Sequence, residues 1–147
     1  MSVKIRNINI EDKKDWTILF QGYANFYKVK INNIIINNVW DWLHNPNHEL
    51  EGLIGEINYK VIAFAHYRRM PSPLRGRDIG FLDDLYVLPE FRGQKIGLRL
   101  IEKLKLISKE NQWNLVRWIT RDNNLRAKKV YDKISTKTNW DVYELNS

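Results

Sequence analysis

The chain has 147 residues, 44% of them apolar and 28% charged, with a net charge of +7, three histidines and no cysteine. Its length fits one globular domain, and the missing cysteine rules out disulfides, thiolate nucleophiles and cysteine-held zinc or iron–sulfur centres. No uncharged apolar run approaches the roughly 18 residues of a membrane span, and charges from Lys4 to Asp15 interrupt any secretory leader, so a cytoplasmic protein is expected.

In chain order, Val3–Ile8 alternates like a short strand. Asn9 is a plausible N-cap for a helix over about Ile10–Lys28, where Trp16, Leu19, Phe20, Tyr23, Phe26 and Tyr27 recur at spacings of three and four. A shorter helix holds Val39, Trp40, Trp42 and Leu43 and stops before Pro46. Leu50–Ile57 and Lys60–Tyr67 form an antiparallel hairpin around Asn58-Tyr59. Met70–Arg77 reads as a loop, since it carries two prolines and a glycine. Asp78–Leu88 is apolar on both faces, like a central strand, and Pro89 ends it. A helix from about Lys95 places Ile96, Leu100, Leu104 and Ile107 on one stripe. Leu115–Thr120 is a strand, Asn124–Ile134 a helix, and Trp140–Leu145 a last strand. The order β-α-α-β-β-β-α-β-α-β predicts an α+β fold, a mixed and mostly antiparallel central sheet flanked by helices, with one parallel crossover near the middle.

The chemistry concentrates in Leu82–Leu98, a strand, a proline stop, an Arg/Gly turn and a helix start. Such a turn aims free N–H groups at one spot, and the helix dipole makes that spot attractive to an anion. Gly93 and Gly97 permit close backbone approach, and Arg92 and Lys95 add charge. The natural guest is a phosphate or pyrophosphate, and the plain alternative is an ordinary turn with Gly93 at positive φ. Neither the Walker loop nor the dinucleotide fingerprint is present. Residues 91–137 carry 13 basic against 4 acidic side chains, a net of +9, so the positive field surrounds this motif.

Arg92-Gly93-Gln94-Lys95-Ile96-Gly97 resembles the Q/R-x-x-G-x-G/A cofactor loop of the GCN5-related N-acetyltransferases, with Lys95 where the middle glycine is usual. Leu82-Asp83-Asp84-Leu85-Tyr86-Val87 is similar to the family's L-E-D-L/F-x-V strand. Trp118-x-Thr120 followed by Asn124-x-x-Ala127-x-x-x-Tyr131 is similar to its downstream segment. Gly22-Tyr23-x-x-Phe26-Tyr27 resembles a subgroup with yeast enzymes acting on histones, polyamines and D-amino acids. The resemblance covers nearly the whole chain and implies one N-acetyltransferase domain over residues 1–147. It also implies acetyl transfer from acetyl-CoA to a primary amine of a polyamine, an amino acid or a lysine-bearing peptide, directly in a ternary complex.

The same resemblance assigns roles. Asp83 is the candidate base or amine-orienting carboxylate, and strand alternation puts it on the face opposite Asp84. A backbone N–H of Leu85, Tyr86 or Val87 would meet the thioester oxygen. The turn from Arg92 to Leu98 would hold the pyrophosphate. Asn124 and Ala127 would face the cofactor arm, with Arg126, Lys128 and Lys129 as candidates for its phosphates. Tyr131, in line with them on one helix face, would protonate the leaving thiolate. Tyr23, Phe26, Tyr27, Trp40 and Trp42 would line an aromatic acceptor site, although such a stripe also suits a core. Apart from the resemblance, the Met70–Arg77 loop is placed to close over the acceptor, where Arg75 and Arg77 would take a carboxylate. The histidines read as structural, and no metal site is expected. A homodimer through the final aromatic strand, or a monomer with that strand buried, both remain open. A basic nucleic-acid-binding module and a CoA-binding domain without catalysis are the alternatives. The basic segment surrounding a cofactor motif argues against nucleic acid.

Overall fold

A computed structural model describes residues 2–147. Its elements are β1 (Lys4–Asn7), α1 (Lys13–Phe26), α2 (Asn33–His44), β2 (Glu51–Ile57), β3 (Lys60–Ser72), β4 (Arg77–Val87), α3 (Ile96–Glu110), β5 (Val116–Trp118) and α4 (Leu125–Ile134). The five strands form one sheet in chain order. Neighbours are antiparallel except β4 and β5, which α3 joins as the expected parallel crossover. The α+β reading of the sequence therefore holds.

Local chemistry explains the element starts. The Asn9 side chain accepts from the Glu11 N–H while the Asp12 carboxylate accepts from the Asn9 N–H, a reciprocal cap on the turn that leads into α1. The Asn32 side chain caps α2 by accepting from the Ile35 N–H at 2.9 Å. Asn58 and Tyr59 both take left-handed φ, as a two-residue hairpin between β2 and β3 requires.

The sheet buries a different cluster on each face. Leu53, Ile62, Ala65, Tyr67 and Leu82 pack with Leu100 and Leu104 of α3 and with Trp113. Ile54, Phe64 and Tyr86 pack with Trp16, Leu19 and Phe20 of α1 and with Val39 and Trp40 of α2. Each large side chain enclosed in this way contributes about 1.5–3 kcal/mol. β2, β3 and β4 each contribute side chains to both clusters.

Three expectations need correction. The first helix is shorter than expected, because Ile10–Asp12 is a separate 3-10 turn and α1 spans Lys13–Phe26. Met70–Ser72 is strand rather than loop, with Met70 opposite Ile79 and Pro71 opposite Asp78. β2 ends its pairing at Tyr67, so β3 beyond that point has a neighbour on one side only, where a proline is tolerated. Only Pro73–Arg75 forms the turn. The strand expected at Trp140–Leu145 does not form, and Trp140, Val142, Tyr143 and Leu145 are exposed. Alternation defines a face but supplies no partner, and β5 offers a ladder of only three residues.

Candidate functional site

β4 and β5 part company early. Gly80, Phe81 and Leu82 pair with Val116, Arg117 and Trp118, and past Leu82 no strand lies on that side of β4 among the described residues. The peptide groups of Leu85–Val87 on this side are thereby released from a ladder. At the end of the opening, Arg92 Nε donates to the Val87 carbonyl at 2.9 Å. Its guanidinium lies over the rings of Phe26 (5.6 Å) and Tyr86 (5.3 Å).

The turn after β4 leaves a run of main-chain donors unpaired. The first helical bond of α3 runs from Arg99 N–H to the Lys95 carbonyl. Ahead of it, the N–H groups of Gly93, Gln94, Lys95, Ile96, Gly97 and Leu98 have no acceptor among the described residues. Gly93 has φ +82° with open space where a Cβ would stand, and Lys95 has φ +63°. The left-handed conformation of Lys95 explains why glycine is the usual residue there.

Helix α4 forms the opposite wall. The Tyr131 ring meets Trp118 of β5 edge to face at 5.3 Å. Burial pushes its phenol above the ordinary range, with Tyr27 adding to the effect. Asn124 Nδ2 donates to Thr120 Oγ1 at 3.3 Å and to Tyr27 Oη at 3.5 Å, which links α4 to the end of α1. The Arg121 guanidinium covers the Tyr27 ring. Lys128 Nζ is tied to the Asp122 carbonyl at 3.0 Å.

A bulge shapes the other side of β4. His66 pairs with Asp84 and Tyr67 with Leu82, so no β3 residue stands opposite Asp83 in the ladder. This breaks the alternation, and Asp83 and Asp84 line one cavity rather than opposite faces. The cavity holds about 340 Å³, walled by Phe20, Val39, Trp42 and Leu50, with His48 beside them. Arg68 Nε donates to Asp83 at 2.9 Å while its guanidinium lies over Phe81. Burial raises the Asp83 carboxyl above its usual range, against the opposing pull of Arg68. His66 Nδ1 lies 2.8 Å from Asp84, and Trp16 Nε1 donates to His66 Nε2 at 3.0 Å. Burial, and then the Asp84 carboxylate, drive the Tyr23 phenol far up.

The aromatic set divides. Tyr23 packs edge to face on Phe64 and Tyr86 beneath the site. Phe26 and Tyr27 stand at the Arg92 and Asn124 end, away from the cavity. Trp42 lines the cavity and stacks on His48 at 4.8 Å. Trp40 is core, enclosed at 6% exposure between Trp16 and His44. Arg75 bonds Ser72 at the hairpin tip, and Arg77 lines a separate groove beside Trp113, so neither reaches the cavity. Sequence reasoning did not single out Arg68, and it read Trp16 only as part of the helix stripe and His66 only as structural. One signal was present, since a histidine in the apolar run Val61–Tyr67 requires a partner once buried.

Residues 14–135 match the Acetyltransferase (GNAT) family. The chain belongs to this family. Acetyl-CoA is the acyl donor that GNAT enzymes use, and the unpaired turn donors and released strand edge fit such a ligand. Among curated GNAT relatives, the D-amino-acid N-acetyltransferase HPA3 of Saccharomyces cerevisiae is 25% identical over 146 residues, covering 98% of this chain and 91% of that one. The thialysine N-epsilon-acetyltransferase of Bos taurus is 35% identical over 71 residues, 48% of this chain and 41% of its own. Two solved structures share the fold. The ribosomal-protein-alanine N-acetyltransferase of Brucella melitensis biovar Abortus 2308 has a TM-score of 0.81 at 20% identity, covering 99% of this chain and 100% of the other. AAC(6')-Iy in complex with a CoA-linked bisubstrate analogue has a TM-score of 0.82 at 18% identity, covering 100% and 99%. No group of three or more metal-ligating side chains occurs among the described residues, and no helix there is long and apolar enough to cross a membrane.

Proposed function

We propose that this GNAT enzyme moves the acetyl group of acetyl-CoA to the primary amine of a small molecule, directly and with both substrates bound. One observation carries the reading: a phosphate-ready turn and an acidic cavity flank the same strand, with Asp84 and Tyr86 two residues apart on one face. Acetyl-CoA supplies an activated thioester carbonyl.

The chain's residues divide the remaining work. The N–H groups from Gly93 to Leu98 hold the diphosphate, aided by the α3 dipole and the Arg92 and Lys95 charges. The edge of Leu85–Val87 receives the cofactor arm, and one of its N–H groups stabilises negative charge growing on the carbonyl oxygen. Asn124 and Ala127 face that arm from α4. Asp83 takes the proton from the amine, a role favoured by its raised pKa. Tyr131 remains a protonated phenol because burial raises it, and it gives its proton to the departing sulfur.

The reading is tested by acetyl-CoA consumption across polyamines, D- and L-amino acids and lysine peptides, beside thermal shifts with CoA and with RNA. CoA at 100 times its dissociation constant is expected to stabilise the fold by about 2.7 kcal/mol. No CoA shift, together with tight, salt-sensitive RNA binding, would replace the enzyme with a nucleic-acid module. A CoA shift without turnover would make it a binding domain.

A further inference from the structure

His66 lies at the cavity wall but is only 1% exposed, and both its ring nitrogens are engaged. The indole N–H of Trp16 can only donate, so His66 Nε2 accepts. The ring proton of the neutral imidazole then sits on Nδ1 and is donated to Asp84 Oδ2 at 2.8 Å. Trp16 is fully enclosed, stacked on Phe20 and packed against Trp40. A three-residue chain thus runs from the core to the cavity wall, its direction set by its donor-only end.

The charge balance at that wall is uneven. Asp83 is paired with Arg68. Asp84 has no lysine or arginine partner among the described residues, and the groups facing it are His66 from β3 and the Tyr23 phenol from α1. Asp84 is therefore the cavity's uncompensated negative charge. Phe20, Val39, Trp42 and Leu50 form an apolar wall facing the polar end made by Arg68, Asp83, Asp84 and the two histidines, and the volume suits a compact guest.

We propose that His66 is a positioning residue. With its tautomer set by Trp16, it holds one oxygen of Asp84 so that the other anchors the ammonium of a compact amine with an apolar body. This rests on the acetyl-transfer reading and names the acceptor class of the same cavity.

The test uses steady-state kinetics with phenethylamine, D- and L-phenylalanine and spermidine. Phenethylamine or a phenylalanine should exceed spermidine in kcat/KM by about tenfold or more, as expected where an apolar wall carries the discrimination. A preference for spermidine would overturn the acceptor class. His66→Leu removes the donor and should raise the amine KM about tenfold, with kcat and the acetyl-CoA KM within about threefold. His66→Asn places an amide N–H where Nδ1 stands and should restore the amine KM to within about threefold of the parent. Equal amine KM values for the two variants, or parent-like values in both, would overturn the positioning role. Should the leucine variant fail to fold, Asp84→Asn carries the test, with the same rise in amine KM expected and an unchanged KM contradicting the anchor. A parent enzyme that binds CoA but acetylates no amine sinks the transfer reading instead, an outcome separate from any loss confined to the His66 variants.

Discussion

The two sides of β4 are made by different means. The turn from Gly93 to Leu98 is a backbone site in the proposed reading, in which unpaired main-chain N–H groups would do most of the binding, with the Arg92 and Lys95 charges beside them. The cavity on the α1 and α2 side is a side-chain site, in which a bulge turns two adjacent carboxylates to one face and separate partners tie each down. A backbone site suits a ligand shared by a whole family, because any sequence that makes the turn supplies the donors. A side-chain site can be retuned for each acceptor without disturbing the turn. Substitutions on the two sides should therefore fail in different ways.

The largest effect is expected on the side-chain side. Asp83→Asn should lower kcat by about 100-fold or more while leaving CoA affinity intact. Asp83 must be ionised to accept a proton, and its pKa is raised by burial, so the acid limb of parent activity should lie above the ordinary aspartate range. Rate against pH for parent and variant checks this, and an unchanged limb in the variant would remove Asp83 from the reaction.

Tyr131→Phe comes next, with an expected loss of about 10- to 100-fold in kcat. The raised phenol must stay protonated to act, so parent activity should persist to a pH above the ordinary phenol value of about 10 before falling. A basic limb well below that value would point to another acid.

Gly22→Ala probes the shared strand. A Cβ there would stand 2.6 Å from Tyr86 Oη, so α1 or the Tyr86 ring must shift. The expected cost is about 1–3 kcal/mol by urea denaturation, with impaired turnover because Tyr86 belongs to the released edge. Full stability in this variant would mean that α1 approaches β4 less closely.

The smallest effect belongs to the backbone side. Lys95→Gly removes a side chain from left-handed φ and should stabilise the fold by about 1 kcal/mol, read as a rise in Tm. A fall in Tm would mean that the lysine side chain contributes more than its strained backbone costs.

The same contrast decides what was legible beforehand. The turn could be read from Arg92 to Gly97, because Pro, Gly and a following helical stripe are local signals. So could the mostly antiparallel sheet and the parallel crossover around Ile96, Leu100 and Leu104. The acidic site could not, since alternation assumes a regular register and the bulge at Asp83 depends on how β3 lies beside β4. Trp40 and Trp42 look equivalent in sequence, yet α2 rotates one into the core and the other to the cavity. The Met70–Ser72 strand and the unformed strand at Trp140–Leu145 failed for a related reason. Pairing is settled by which edges are available, a long-range property that composition does not encode.

The most direct test of the account is a crystal structure with bound coenzyme A. It should show the diphosphate within hydrogen-bonding distance of the Gly93–Leu98 amides, with the sulfur between the Leu85–Val87 edge and the Tyr131 hydroxyl. Coenzyme A lying elsewhere, or no coenzyme A bound at saturating ligand, would contradict it.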